Sequence, residues 1–199
     1  MAGITVDLIK KLKELSGVGL TDAKNALVEA EGDFDKALDA MRKKGMTKAE
    51  KRGDRETREG VIDAYVHDGR IGALVELNCE TSFVAKTDEF KDLAHKIAMQ
   101  VASMNPMYVS EEEIPEKLMA EKRKEFTAEL KDDKKPEDVK AKIIDGKVKK
   151  YFEDKVLLNQ PYILDDSKTV AEFIKDGIAK TGENITVRQF KRVELGVSE

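Results

Sequence analysis

The sequence has no tryptophan, one cysteine, two histidines and four prolines, and only 6% of it is aromatic. An interior built from it must rest on Leu, Ile, Val, Ala and Met. A lone cysteine, Cys79, cannot close an internal disulfide, so nothing implies an oxidising compartment. No stretch approaches the roughly 18 apolar residues that would span a membrane. The N-terminal run MAGITVDLIKKLKEL is amphipathic and lacks the apolar core and small-residue cleavage site of a signal peptide, which makes cytoplasm the expected location. No nucleophile elbow, phosphate-binding loop or dinucleotide glycine fingerprint occurs. His67 and His95 stand too far apart for metal-ligand spacing and read as surface or turn histidines. Cys79 follows a β-rich run and reads as a half-buried small apolar side chain, not a reactive thiol. These absences point away from an enzyme and call for no cofactor or metal.

What is present is charge. Of 199 residues 38% are charged, against an average near 25%. The 36 basic and 40 acidic side chains leave a net charge of -4, too even for a surface built wholly to hold nucleic acid.

The first 45 residues read as three short helices. Leu8, Leu12 and Leu15 share one helical face, and Gly17 and Gly19 end it. Thr21 is a candidate cap for a second helix with Ala23, Ala26, Leu27 and Ala30 inward. Asp33 is a candidate cap for a third, with Phe34, Ala37, Leu38 and Met41 on one side. Helices this short must pack on one another. Residues 46–58 carry charge at nearly every step and read as a linker.

From Glu59 the character changes. Val61–Val66 and Ile71–Leu77 are β-rich, and the intervening Asp68-Gly69 is a strong hairpin signal. Asp88–Met104 returns to a helical period and stops at Asn105-Pro106. Residues 111–153 contain two charged helical segments, about Glu111–Leu130 and Pro136–Phe152, joined by a short turn into an antiparallel hairpin. Their apolar stripe is thin: Leu118, Phe126 and Leu130 against Val139, Ile143 and Val148. Val170–Lys180 reads as a last helix and Val187–Leu195 as a closing strand with alternating faces. The expected fold class is α+β: a three-helix unit over 1–45, the linker, and an α+β core over 59–199 with a small antiparallel sheet and an inserted helical hairpin.

The run Val75-Glu76-Leu77-Asn78-Cys79-Glu80-Thr81-Ser82-Phe83-Val84-Ala85 stands out. A β segment ends in polar residues and a single aromatic precedes a helix. Taken alone, Phe83 is most simply a lid on the core. The run resembles the signature of elongation factor Ts, ELNCETDFVA in many members. Ser16-Gly17-Val18-Gly19-Leu20-Thr21-Asp22-Ala23-Lys24 and the surrounding helices are similar to that family's ubiquitin-associated-like domain. Arg58-Glu59-Gly60, Asp145-Gly146-Lys147, Leu157–Pro161, Gly182-Glu183-Asn184-Ile185 and Arg192–Gly196 also look like family landmarks, in order along essentially the whole chain.

The resemblance implies a translation factor that binds elongation factor Tu and promotes exchange of its GDP for GTP without covalent chemistry. It implies that Phe83 wedges between partner helices near the nucleotide and its Mg²⁺, flanked by Thr81, Ser82 and Val84. Ile71 and Gly72 look like a second docking edge. Val18 and Leu20 are candidates for contact through the N-terminal unit. Ser82 stands where the family usually has Asp, so a charged contact there is weakened or missing. Some short members are dimers joined by a cysteine in the last strand, where this chain has Lys191; a noncovalent homodimer is expected instead, with no membrane and no direct nucleic-acid partner. Three rivals stay open. Eight Lys or Arg between Arg42 and Arg58 would suit RNA, though Glu50, Asp54 and Glu56 interrupt them. A ubiquitin-type adaptor would use only the first 45 residues. A hydrolase or transferase has no motif behind it.

Overall fold

The computed structural model describes residues 4–16, 19–41, 52–131, 133 and 135–197. Its helices and strands follow in the order α1 (Val6–Ser16), α2 (Leu20–Glu29), α3 (34–41), β1 (Glu59–His67), β2 (Ile71–Cys79), α4 (Ser82–Ala85), α5 (Asp88–Met104), α6 (Glu116–Glu129), α7 (Glu137–Glu153), β3 (Pro161–Tyr162), β4 (Asp165–Thr169), α8 (Val170–Thr181) and β5 (Ile185–Glu194). This is the α+β class expected. One sheet has the strand order β1-β2-β5, and β3 pairs antiparallel with β4 in a separate ribbon. The chain divides into two compact units, Met1–Asp63 with Glu76–His95 and Ala171–Arg188, and Ala64–Val75 with Lys96–Val170 and Gln189–Glu199.

In the first unit α1, α2 and α3 close over Leu12, Ala23, Ala26, Leu27, Ala37 and Met41, with Leu8, Ile9, Ala30, Phe34 and Leu38 packed around them. Burying Leu12 and Leu27 fully contributes about 1.5–3 kcal/mol each. Asp33 caps α3 as expected, its carboxylate accepting the Lys36 amide at 3.1 Å; that bond holds the Asp33 carboxyl below its usual range. Thr21 does not cap α2. The N-cap is Gly19, in extended backbone, and Thr21 lies inside the first turn. Residues 17 and 18, and with them the expected glycine stop at Gly17, lie outside the described residues.

The β1-β2 hairpin turns at Asp68-Gly69. Both take positive φ, 49° and 66°, and the Arg70 amide donates to the His67 carbonyl at 2.9 Å, the twist-matched two-residue turn that Asp-Gly favours. Along β2, Ala73, Val75, Leu77 and Cys79 are buried, which puts Leu74 on the open face. Gly60 lies so close to β2 that a Cβ there would run into the Leu77 carbonyl and come within 2.9 Å of Asn78 Cα. In α5, Phe90, Ala94, Ile97, Ala98 and Val101 are buried at helical spacing, and Thr87 caps the helix by accepting the Phe90 amide at 3.3 Å.

In the second unit the helical hairpin carries its own cluster of Ile114, Ile144, Val148, Phe152 and Val156. The segment expected from Glu111 breaks instead at Pro115, after a single 3-10 turn over Glu111–Glu113, because proline supplies no amide and caps α6 from outside. The stripe also differs: Ile144 and Phe152 are buried with Val148, and Val139 is exposed. Positions 132 and 134 of the expected connection lie outside the described residues. At the base of the hairpin two glutamines are fully buried and mutually bonded. Gln100 Nε2 donates to Gln160 Oε1 at 3.1 Å, and Gln160 Nε2 donates to the Asp154 carbonyl at 2.7 Å. The ribbon β3-β4 starts beside them, with the Ile163 amide donating to Gln100 Oε1 at 2.9 Å. In β5 the covered side changes phase: Val187 is buried, whereas Phe190 and Arg192 are half-buried beyond it. Arg192 is accommodated because Nε donates to the Ala102 carbonyl at 3.0 Å and Nη1 meets Glu194 at 2.8 Å.

Gly60→Ala is expected to lower stability by about 1–3 kcal/mol, since the Leu77 carbonyl and Asn78 Cα, both main-chain atoms that cannot rotate aside, stand in the way of the new methyl. A thermal melt shifted down by several degrees checks this; an unchanged melt rejects the close approach.

Candidate functional site

The sequence that ends β2 builds a small platform in the first unit. Cys79 is fully buried, more so than the half-burial expected, and its thiol donates to the Thr81 carbonyl at 3.3 Å. Burial, and then the charge of Glu183, push the Cys79 thiol above its ordinary pKa. Thr81, in extended backbone, caps the single turn of α4 by accepting the Val84 amide at 3.4 Å. Thr87 closes the other end, its hydroxyl donating to the Val84 carbonyl at 2.7 Å.

A second loop, at the end of α8, locks the first. Glu183 takes two bonds from Thr81: the hydroxyl at 2.6 Å on Oε1 and the amide at 3.0 Å on Oε2. In the opposite direction Glu80 Oε1 accepts the Asn184 amide at 2.6 Å. Each loop thus places a carboxylate on a main-chain amide of the other. Ionised acceptors make such bonds short and roughly twice as strong as neutral ones. Arg55 Nη1 lies 3.4 Å from both Glu80 oxygens, and the buried Asn184 donates to the carbonyls of Gly53 and Arg55 at 3.2 and 2.8 Å. Thr57 and Thr186 share a 2.7 Å hydroxyl bond. Residues 52–58, the latter half of the stretch expected as a linker, are therefore bonded into this unit.

From that platform one apolar group points outward. Phe83 is 79% exposed, far more than a lid on the core would be. Thr81 and Ser82 are exposed beside it. Val84, expected at a partner surface, is buried at 6% exposure because the α4 turn rotates it inward, where it anchors the turn. A surface phenyl ring held on a bonded turn cannot do chemistry. It can enter an apolar cleft in another protein at little cost in ordering.

These features agree with a comparison of the chain against known families. The model for "Elongation factor TS" matches residues 46–197. The chain belongs to the elongation factor Ts family. It is 53% identical to elongation factor Ts of Thermotoga neapolitana over 97% of this chain and 98% of that one. With elongation factor Ts of Thermotoga maritima the identity is 52%, over 97% and 96%. With that of Syntrophomonas wolfei it is 47%, over 97% and 91%. The family is one of translation elongation factors.

The other candidate contact residues lie elsewhere. Ile71 is half-buried at the start of β2, in the second unit, and lines a groove of about 350 Å³ with Tyr65, His67, Met99, Ala102, Ser103 and Ile163. A Cβ on Gly72 would meet open space. Leu20, the first residue of α2, is 52% exposed. Val18 lies outside the described residues. His95 Nδ1 sits 3.0 Å from Asp63, and His67 Nδ1 sits 2.9 Å from the Tyr65 hydroxyl. Among the described residues no group of His, Cys, Asp and Glu could hold a metal ion, and no helix is long and apolar enough to cross a membrane.

Sequence reading named no role for Glu80, Glu183 or Asn184. The only signal was that Glu80 belongs to the signature and Gly182-Glu183-Asn184-Ile185 to the family landmarks; their pairing needs the fold. Because the Cys79 thiol titrates high, its neutral form contributes stability that is fully present below the unfolded thiol pKa near 8.5 and declines as pH rises through the folded value. Disulfide-exchange reagents at about pH 8 are expected to label the folded protein at least about a hundredfold more slowly than a small thiol, and fully in guanidinium. Rapid labelling of the native state would contradict this burial.

Proposed function

We propose that this protein binds elongation factor Tu in its GDP state and speeds GDP release, with Phe83 as the wedge. The observation that carries the reading is an almost fully exposed phenyl ring on a turn fixed by bonds at both ends. A GTPase holds GDP through backbone amides, a lysine and Mg²⁺, all of which must be given up together. A partner that prefers the empty state lowers the cost of emptying. Speeding release ~10⁴-fold takes ~5.5 kcal/mol off the barrier. Burying Phe83 in the partner supplies ~1.5–3 kcal/mol. The remainder falls to Thr81 and Ser82 beside it, to Leu20 and Val18 on a docking domain formed by residues 1–45, and to the edge at Ile71 and Gly72. Ser82 offers a neutral hydroxyl, so it makes a hydrogen bond without the attraction of a carboxylate. No covalent bond changes in this scheme, and it asks for no cofactor, nucleic acid or membrane.

Release of a fluorescent GDP analogue from elongation factor Tu, chased with unlabelled nucleotide, tests the reading. Catalytic amounts of the protein are expected to accelerate release, and Phe83→Ala to cut that acceleration about ten- to a hundredfold with the melting curve unchanged. Equal rates for the two would sink the wedge.

A homodimer accompanies this proposal. In the second unit Val66, Leu74 and Val193 are exposed, each on the uncovered side of its strand, and Leu195, just past the end of β5, is exposed as well. An open apolar sheet face of this kind is self-complementary under two-fold symmetry. Light scattering is expected to give a dimer for the wild type and a monomer for Leu74→Asp with Val193→Asp; a monomeric wild type at high micromolar concentration rejects it.

A further inference from the structure

The geometry points to Glu183, working with Glu80, as a positioning residue for Phe83. This rests on the exchange function proposed above and assigns a role in it to a loop separated from the signature by most of the core domain's sequence. Glu183 touches no part of Phe83. It acts through Thr81, which it holds by hydroxyl and amide together, at 2.6 and 3.0 Å. Thr81 in turn caps α4 through the Val84 amide, and Ser82 and Phe83 are the two residues between them. A four-residue helix has no stability of its own. Its orientation is set by its cap together with the buried Val84 and the Thr87 bond at its other end. The Thr81 hydroxyl has one proton. Glu183 accepts the hydrogen bond that this proton makes, which leaves the oxygen's lone pairs to accept from the Val84 amide. Glu183 thus sets the direction in which the cap accepts.

The reciprocal bond fixes the other side. Glu80, one residue before Thr81, holds the Asn184 amide at 2.6 Å, so the main chain that carries Glu183 cannot move away from Thr81 without giving up that bond. Asn184 is itself pinned to the carbonyls of Gly53 and Arg55. The two carboxylates therefore form a closed ring of contacts: 80 to 184, 183 to 81. Such a ring keeps an exposed aromatic in one pose before any partner arrives, which removes the ordering cost from binding.

A structural role alone would lower stability. A positioning role predicts more. Glu183→Ala is expected to lower the saturating rate of GDP release about tenfold while the half-saturating concentration changes less than about twofold, because docking surfaces remain and the wedge alone is misplaced. Glu183→Gln keeps one acceptor oxygen for Thr81 and is expected to retain most of the rate. In a Phe83→Ala background, Glu183→Ala is expected to cost nothing further. Amide hydrogen exchange on the isolated protein gives a readout independent of elongation factor Tu: Glu183→Ala is expected to expose the Thr81 and Val84 amides while the amides of α5 and β2 stay protected. Unchanged protection at Thr81 and Val84, a normal release rate in Glu183→Ala, or an equal added loss in the Phe83→Ala background would each overturn the proposal. If the wild type itself fails to accelerate release, the exchange reading fails and Glu183's part in exchange fails with it, while loss of protection at Thr81 and Val84 would still show that Glu183 holds the α4 turn.

Discussion

A carboxylate that accepts a main-chain amide from another loop restrains both loops at once. In this protein that interaction is made twice, in opposite directions, between residues 80–81 and 183–184. Everything distinctive at the candidate site follows from it. The end of β2 is brought to the end of α8. Arg55 and Asn184 tie residues 53–55 to the same point. Without those charge-assisted bonds, a one-turn helix bearing an exposed phenyl ring would sample many orientations, since the turn is far too short to hold itself.

The proposed exchange role needs no residue of unusual reactivity at this site. The titratable groups at the site serve as fixed acceptors. The one thiol is buried and held protonated. What the surface offers is shape: an exposed apolar ring on a hydrogen-bonded turn, with polar neighbours Thr81 and Ser82. Energy for opening a nucleotide site comes in this scheme from binding an altered partner state better than the resting one. Rigidity matters because a flexible wedge would yield before the partner does.

The helical hairpin illustrates a different solution to a shortage of apolar surface. α6 buries none of its described residues, and α7 buries only three. Aromatic and cationic groups fill the gap. Lys155 Nζ lies 3.5 Å and Lys122 Nζ 4.6 Å from the Tyr151 ring centre, and Tyr151 meets Phe126 and Phe152 edge-on. Lysine stems cover rings while their ammonium groups stay wet. Between the hairpin and the β3-β4 ribbon, Gln100 and Gln160 satisfy each other and four main-chain groups. A buried amide pair of this kind dictates one mutual placement of its elements, because any slip leaves polar atoms unpaired.

Local chemistry was readable from the amino-acid order wherever it acts over a few residues. The Asp68-Gly69 turn, the span of α5, the Asp33 cap and the apolar faces of α1 to α3 all depend on neighbours within about one turn or one hairpin, and periodicity with cap and turn residues reports them. The signature around Phe83 also stands out in the sequence, and its likeness to a family named the partner class. Placement was not readable. Val84 and Phe83 are adjacent and both apolar, and only the rotation of α4 puts one inside and the other in solvent. Gly19 in place of Thr21 as the α2 cap, the break at Pro115 and the short β3-β4 ribbon turn on a few residues whose competing conformations differ by little. The Glu80 and Glu183 ring joins positions about a hundred residues apart, through acids that look like any of the other thirty-eight. Sequence alone determined which residues could hydrogen-bond; the tertiary fold decided which of them met, because a carboxylate's effect depends on the amide it faces and that distance is set by packing.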